Sequence, residues 1–206
     1  MTAPLYAQAL DGARIDGGLY TTVTDFARDT HWLNSPVLAW TSYGAALFIL
    51  LLLVGWWQAR RADAATMASA VGAIAGAGIA YLANSGIKDA FHEPRPCRAL
   101  PRAFLVESCP AANDYAFPSN HTSVAFAAAV GLLLVNRRLG LFALVAAVLM
   151  GASRVYVGAH YPHDVAVGAV VGTIVAILTV LATRRFATST VARLRTGPLR
   201  PVLARA

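Results

Sequence analysis

Ser153-Arg154-Val155-Tyr156-Val157-Gly158-Ala159-His160-Tyr161-Pro162-His163-Asp164 decides how this chain is read. The stretch puts a guanidinium, two imidazoles and a carboxylate within twelve residues, at the junction of two long apolar runs. Ionisable groups are expensive at membrane depth and mark functional sites there. Two further polar clusters, Lys88 to Pro96 and Pro118 to His121, also stand at the ends of apolar runs.

Composition sets the class. Of 206 residues, 57% are hydrophobic and only 13% charged, against about 25% charged in a soluble domain. Five uncharged runs follow one another: Val37–Gln58, Ala64–Ile87, Thr122–Asn136, Leu139–Ser153 and Val165–Thr183. The first has 22 residues, enough to cross about 30 Å of hydrocarbon at 1.5 Å per helical residue. Gly72 and Gly76, and again Gly168 and Gly172, stand four apart, the spacing that lets membrane helices approach closely. The reading is an all-α integral membrane protein of about five transmembrane helices.

The 206 residues form one membrane domain. Residues 1–36 are an amino-terminal segment in which Met1–Gly18 is loosely ordered. There Leu19, Val23, Phe26 and Leu33 recur at helical spacing among charges and predict an interfacial helix. Residues 37–183 form the transmembrane bundle. Residues 184–206, with Arg193, Arg195, Arg200 and Arg205, read as a solvated basic tail.

The net charge of +7 comes from 16 arginines and the single lysine Lys88. Arginine pairs at 60–61, 137–138 and 184–185 all fall on one side of a five-span topology, which the positive-inside rule makes cytoplasmic. Such spacing argues against nucleic acid as the partner. The three polar clusters then meet on the opposite, extracytoplasmic face, with Cys97 and Cys109. In an oxidising compartment those two thiols pair as a disulfide.

Each cluster has a chemistry. Lys88 and Arg95 suit phosphoryl oxygens. Pro118-Ser119-Asn120-His121 opens a helix, where free amides bind anions. Asp164, four residues after His160, can hold one imidazole nitrogen and raise the basicity of the other. No clustered set of carboxylates for a metal is legible in the sequence.

The three motifs, Lys88…Arg95-Pro96, Pro118-Ser119-Asn120-His121 and Ser153-Arg154…His160…Asp164, resemble those of the type 2 phosphatidic acid phosphatase family. That family shares its helical core with the vanadium haloperoxidases. The resemblance covers roughly residues 37–183 and implies the following roles. Lys88, Arg95, Arg154, Ser119 and Asn120 bind phosphate. His160 attacks phosphorus, Asp164 orients it, and His121 protonates the leaving oxygen, with no metal or other cofactor. One position departs, because the family pattern has glycine where Asn120 stands. Phosphatases of the bacitracin-resistance type look similar there, which points to undecaprenyl diphosphate as substrate in a bacterial plasma membrane. Phosphatidate, phosphatidylglycerophosphate and decaprenyl-phosphate-sugar phosphatases remain open, as do a vanadate-dependent peroxidase and a non-catalytic lipid-binding or transport protein. His92, Glu93 and His163 lie beside matched positions without an assigned role.

Overall fold

The computed structural model describes residues 10–197 and 199–204, and among them every regular element is helical. The order is α1 (Gly12–Asp29), α2 (His31–Tyr43), α3 (Ala45–Ala59), α4 (Ala64–Phe91), α5 (Pro96–Ala99), α6 (Asn120–Leu133), α7 (Arg137–Tyr156), α8 (Pro162–Ala182), α9 (Thr188–Leu194) and α10 (Arg200–Leu203). A π-helical turn, Thr183–Ala187, joins α8 to α9.

Helix starts follow from local side chains. Asp63 accepts from the Thr66 amide at 2.7 Å and opens α4. Asn136 accepts from the amides of Arg138 and Leu139 and opens α7. Both are N-caps, satisfying amides a helix cannot satisfy itself.

α6 lies at the centre, packed against α3, α4, α7 and α8. The packing surface is largely alanine: Ala73, Ala77 and Ala80 on α4, Ala125, Ala127, Ala128 and Ala129 on α6, Ala143, Ala146 and Ala147 on α7. Small residues let backbones touch where lipid supplies no hydrophobic drive between helices. Large apolar side chains face outward instead, among them Leu141, Phe142, Val145 and Val148 on α7 and Val170, Ile174 and Leu178 on α8. Three of the four paired glycines, Gly72, Gly168 and Gly172, sit at close approaches, whereas Gly76 makes ordinary contact. A Cβ on Gly172 would stand 2.1 Å from the Ser123 carbonyl oxygen, and one on Gly72 would meet Thr183 and Val180.

Three helical stretches are long and apolar enough to cross a membrane: those built on α4, α7 and α8. α2 and α3 qualify only together, bent by 47° at Gly44. α6, with 14 residues, is about 21 Å long and falls short of a hydrocarbon core. By length and composition three helices qualify as spans, or four counting the bent pair, with α6 a shorter apolar helix at their centre.

Other details also differ from the sequence reading. Helical structure begins at Gly12, seven residues before the expected interfacial helix; Met1–Ala9 lie outside the described residues. α1 docks through Tyr20, Thr24 and Ala27, whereas Leu19 and Phe26 of the expected apolar stripe face outward. The basic tail is not simply solvated. Val191 and Leu203 pack with Ala59, Met67 and Ala68, and Arg195 donates to the carbonyls of Arg60 and Ala62 at 3.0 and 2.7 Å. Arginine density hid two apolar anchors; Arg205 lies outside the described residues.

Gly172→Ala is expected to destabilise the detergent-solubilised protein by about 1–3 kcal/mol, the cost of overpacking a tight core. Gly78→Ala is the control, since its added Cβ meets nothing within 4 Å. Melting temperatures of the two variants check the difference.

Candidate active site

The end of the bundle opposite the arginine pairs holds all three motifs. Lys88 lies in the last turn of α4, on the helix and not in the following loop. The chain leaves α4 through His92 in left-handed conformation (φ 49°) and reaches Arg95, just before α5. After Arg154, near the end of α7, Gly158 turns the backbone with φ 85°, a geometry that favours glycine. The turn brings the amides of Ala159 and His160 back onto the Arg154 carbonyl at 3.0 and 3.2 Å. The six-residue spacing of Arg154 and His160 thus places both at one helix end.

Arg95 is the hub. Its Nη1 donates to the Ala159 carbonyl and to His160 Nε2, both at 2.9 Å. A guanidinium cannot accept, so His160 Nε2 must carry a lone pair and Nδ1 the proton. Nδ1 then donates to Asp164 Oδ2 at 3.2 Å. Asp164 is fully buried and also accepts from the Tyr161 amide at 2.9 Å, through its place in the first turn of α8. Burial, followed by the charges of Arg95, Arg154, Lys88 and His121, holds the His160 pKa well below the usual imidazole value. His160 is therefore neutral, with its Nε2 lone pair held by Arg95.

A cavity of about 440 Å³ is lined by Lys88, Arg95, Arg154, Asn120, His121 and His160, among others. Two carboxylates absent from the sequence expectations face its cations. Asp114 lies 2.7 Å from Arg95 Nη2 and 3.3 Å from Lys88 Nζ. Burial pulls its pKa up, but the hydrogen bond and charge of Arg95, then those of Lys88, outweigh this and hold it below the ordinary carboxylate range. Glu107 lies 2.8 Å from Arg154 Nη1, which also donates to Thr41 at 2.6 Å. The Cys97–Cys109 disulfide closes the loop carrying Glu107, and amides 106 and 107 bond to the Val157 carbonyl. Such carboxylates in a loop without periodicity leave no signal beyond their charge.

Ser119 is not on the cavity wall. Fully buried, it caps α6, its Oγ accepting from the Thr122 hydroxyl at 3.0 Å and its amide donating to the Asp164 carbonyl at 3.1 Å. Asn120 is better placed. Buried Asn84 donates Nδ2 to the Pro118 carbonyl at 3.0 Å and to Asn120 Oδ1 at 2.5 Å. Because the carbonyl fixes Asn84 Nδ2 as donor, the facing Asn120 atom is oxygen, which leaves its NH2 for the cavity. Asn120, His121 and Tyr81 also line an apolar cleft of about 260 Å³ that continues between α3, α4 and α6 past Phe48 and Ala128. The polar cavity presents three cationic side chains, and the cleft beside it is apolar.

Glu93 and His163 lie behind Asp164. With Asp164 they offer ligand atoms within 4.8 Å of one another. The fold thus builds a carboxylate cluster that the sequence did not reveal, since its members come from positions 70 residues apart.

Comparisons with known proteins agree with this architecture. The PAP2 superfamily profile matches residues 66–187. The undecaprenyl-diphosphatase BcrC of Bacillus subtilis is 35% identical over 150 residues, covering 71% of this chain and 72% of that protein. The bacitracin transport permease protein BcrC of Bacillus licheniformis is 29% identical over 156 residues, 75% of this chain and 74% of that one. The crystal structure of Aquifex aeolicus LpxE superposes with a TM-score of 0.54 at 25% identity, over 80% of this chain and 94% of LpxE. The fold, the motifs and these relatives agree: this chain belongs to the PAP2 superfamily.

Proposed function

We propose that this lipid phosphatase converts a polyprenyl diphosphate, with undecaprenyl diphosphate as the best fit, to the monophosphate and inorganic phosphate. The reaction takes place on the extracytoplasmic face of a bacterial plasma membrane, without a metal. The observation that carries the reading is the fixed tautomer of His160, whose Nε2 lone pair lies within a cavity walled by Lys88, Arg95 and Arg154.

In this mechanism the terminal phosphate displaces Asp114 and Glu107 from the three cations. Arg95 turns from His160 Nε2 to a phosphoryl oxygen and uncovers the nucleophile. Nε2 forms a bond to phosphorus as the bridging P–O bond breaks, and His121 gives the leaving oxygen its proton. The phosphohistidine is then attacked by water, whose proton passes to His121. Asp164 keeps Nδ1 in place and stabilises the charge that builds on the ring. Lys88, Arg95 and Arg154 meet the charge of the transferring phosphoryl group, which is the larger part of catalysis in such reactions. Ser119 acts on α6 instead of on phosphate, holding the helix amides towards the site.

Asn120 supports a diphosphate in particular. Its NH2 stands where the polar cavity meets the apolar cleft, the place of the phosphate retained on the lipid. The name of the Bacillus subtilis relative agrees, as does the capacity of the cleft for a prenyl chain.

With chelator present, the purified protein is expected to release phosphate from undecaprenyl diphosphate in detergent, with inhibition by vanadate. His160→Ala is expected to abolish release; unchanged turnover in that variant sinks the assignment. A panel of phosphatidate, phosphatidylglycerophosphate and a decaprenyl-phosphate sugar, compared by kcat/KM, tests the substrate. Asn120→Gly is expected to lower kcat/KM for the diphosphate about 5- to 10-fold more than for lipid monophosphates, the size of one hydrogen bond of about 1 kcal/mol. An equal change for both classes removes Asn120 from substrate selection.

A further inference from the structure

Behind Asp164 is a charged cluster that the phosphate clamp does not use. His163 Nδ1 lies 2.8 Å from Asp16 Oδ1, and the His163 amide donates to Asp16 Oδ2 at 2.7 Å. On the other side, His163 Nε2 lies 3.1 Å from Glu93 Oε1 and 3.3 Å from Asp164 Oδ1. The rings of Phe117 and Tyr161 stack on this imidazole at 5.8 and 5.6 Å. A neutral imidazole has one donor and one acceptor nitrogen, whereas carboxylates only accept. Carboxylate oxygens at both nitrogens call for two N–H groups, the imidazolium form, and aromatic faces favour a cation.

The carboxylates need that cation. Glu93 and Asp164 are fully buried, and Glu93 Oε2 and Asp164 Oδ1 make no hydrogen bond. Two adjacent buried carboxylates without a counter-charge cannot both ionise and end by sharing a proton. A proton on that pair would deprive His160 of its anionic partner. The backbone supplies the cation's other anchor at a visible irregularity. α1 breaks at Asp16 (φ −146°, ψ 25°), and both oxygens of that carboxylate meet His163.

We infer that His163 is a positioning residue for the reaction, a buried cation that α1 holds through Asp16 and that keeps Asp164 an anion opposite His160. The inference rests on the reading of His160 as nucleophile and gives α1 a catalytic purpose beyond its interfacial position. A divalent ion bound by Glu93, His163 and Asp164 is the competing arrangement, and it would take the proton from Nε2.

The test has two arms. Histidine ¹⁵N spectra of the full chain in micelles, recorded at the pH of maximal activity with His163→Gln for assignment, are expected to give two protonated nitrogens for His163. A singly protonated ring, or stoichiometric metal in the purified protein, overturns the inference. In kinetics, H163Q is expected to lower kcat at least about tenfold, short of the roughly 10⁴-fold that follows loss of a triad carboxylate's orientation, with KM nearly unchanged. The H163Q/E93Q double variant is expected to regain much of that kcat, because one negative charge leaves with the positive one. Packing damage would add instead, so a double variant no faster than H163Q also overturns it. If H163Q does not fold, the wild-type spectra decide, with Glu93→Gln, which leaves His163 in place, supplying the change at Nε2 needed for assignment. Turnover retained by His160→Ala would count against the nucleophile alone, leaving the spectral result standing.

Discussion

The buried carboxylate of Asp164 is the constraint on which the site depends. Its Oδ2 accepts hydrogen bonds from His160 Nδ1–H and the Tyr161 amide, and its backbone carbonyl accepts one from the Ser119 amide. One residue in the first turn of α8 therefore fixes the tautomer of His160, the turn before it and the head of α6. A fully buried charge survives only when its partners are in place. Those partners come from two separate motifs, so the ends of α6, α7 and α8 must meet in a single arrangement.

The rest of the bundle serves that meeting. Alanine and glycine surfaces allow α6 to sit against α4, α7 and α8 at backbone distance, so that Lys88, Arg95 and Arg154 converge although each is nine-tenths buried or more. Three clustered cations repel one another, and Asp114 and Glu107 offset that repulsion from a loop tied down by a disulfide and by the Val157 carbonyl. Phosphate has the same charge sign as the carboxylates it would replace and offers acceptor oxygens to the same donors. The short α6 places Asn120 and His121 where the polar cavity opens onto an apolar cleft, which is the geometry a lipid-borne phosphate requires.

What could be read from sequence was local. Lys88, Arg95, Arg154, His160 and Asp164 stand at fixed spacings within helix ends, and spacing is what a helix turns into direction. The glycine pairs were legible for the same reason. What could not be read depended on distant partners. Asp16 meets His163 across 147 positions, and nothing in α1 announces the break that turns its carboxylate inward. Ser119 could be read as a helix opener, but the bond its hydroxyl accepts from Thr122 and the tie of its amide to the Asp164 carbonyl depend on the fold. The tail looked solvated because arginines outnumber the two apolar residues that dock it. Chain length and hydrocarbon thickness part company at α6 and at the bend between α2 and α3, features that a count of uncharged runs does not register.

The central claim is that phosphorus passes through a covalent intermediate on His160. Stereochemistry tests it most directly: undecaprenyl diphosphate with a terminal phosphorus made chiral by sulfur and oxygen isotopes, hydrolysed in water of the remaining isotope. Two in-line displacements, first by His160 and then by water, give retention of configuration in the released thiophosphate. Inversion would mean a single attack by water, and would contradict the account.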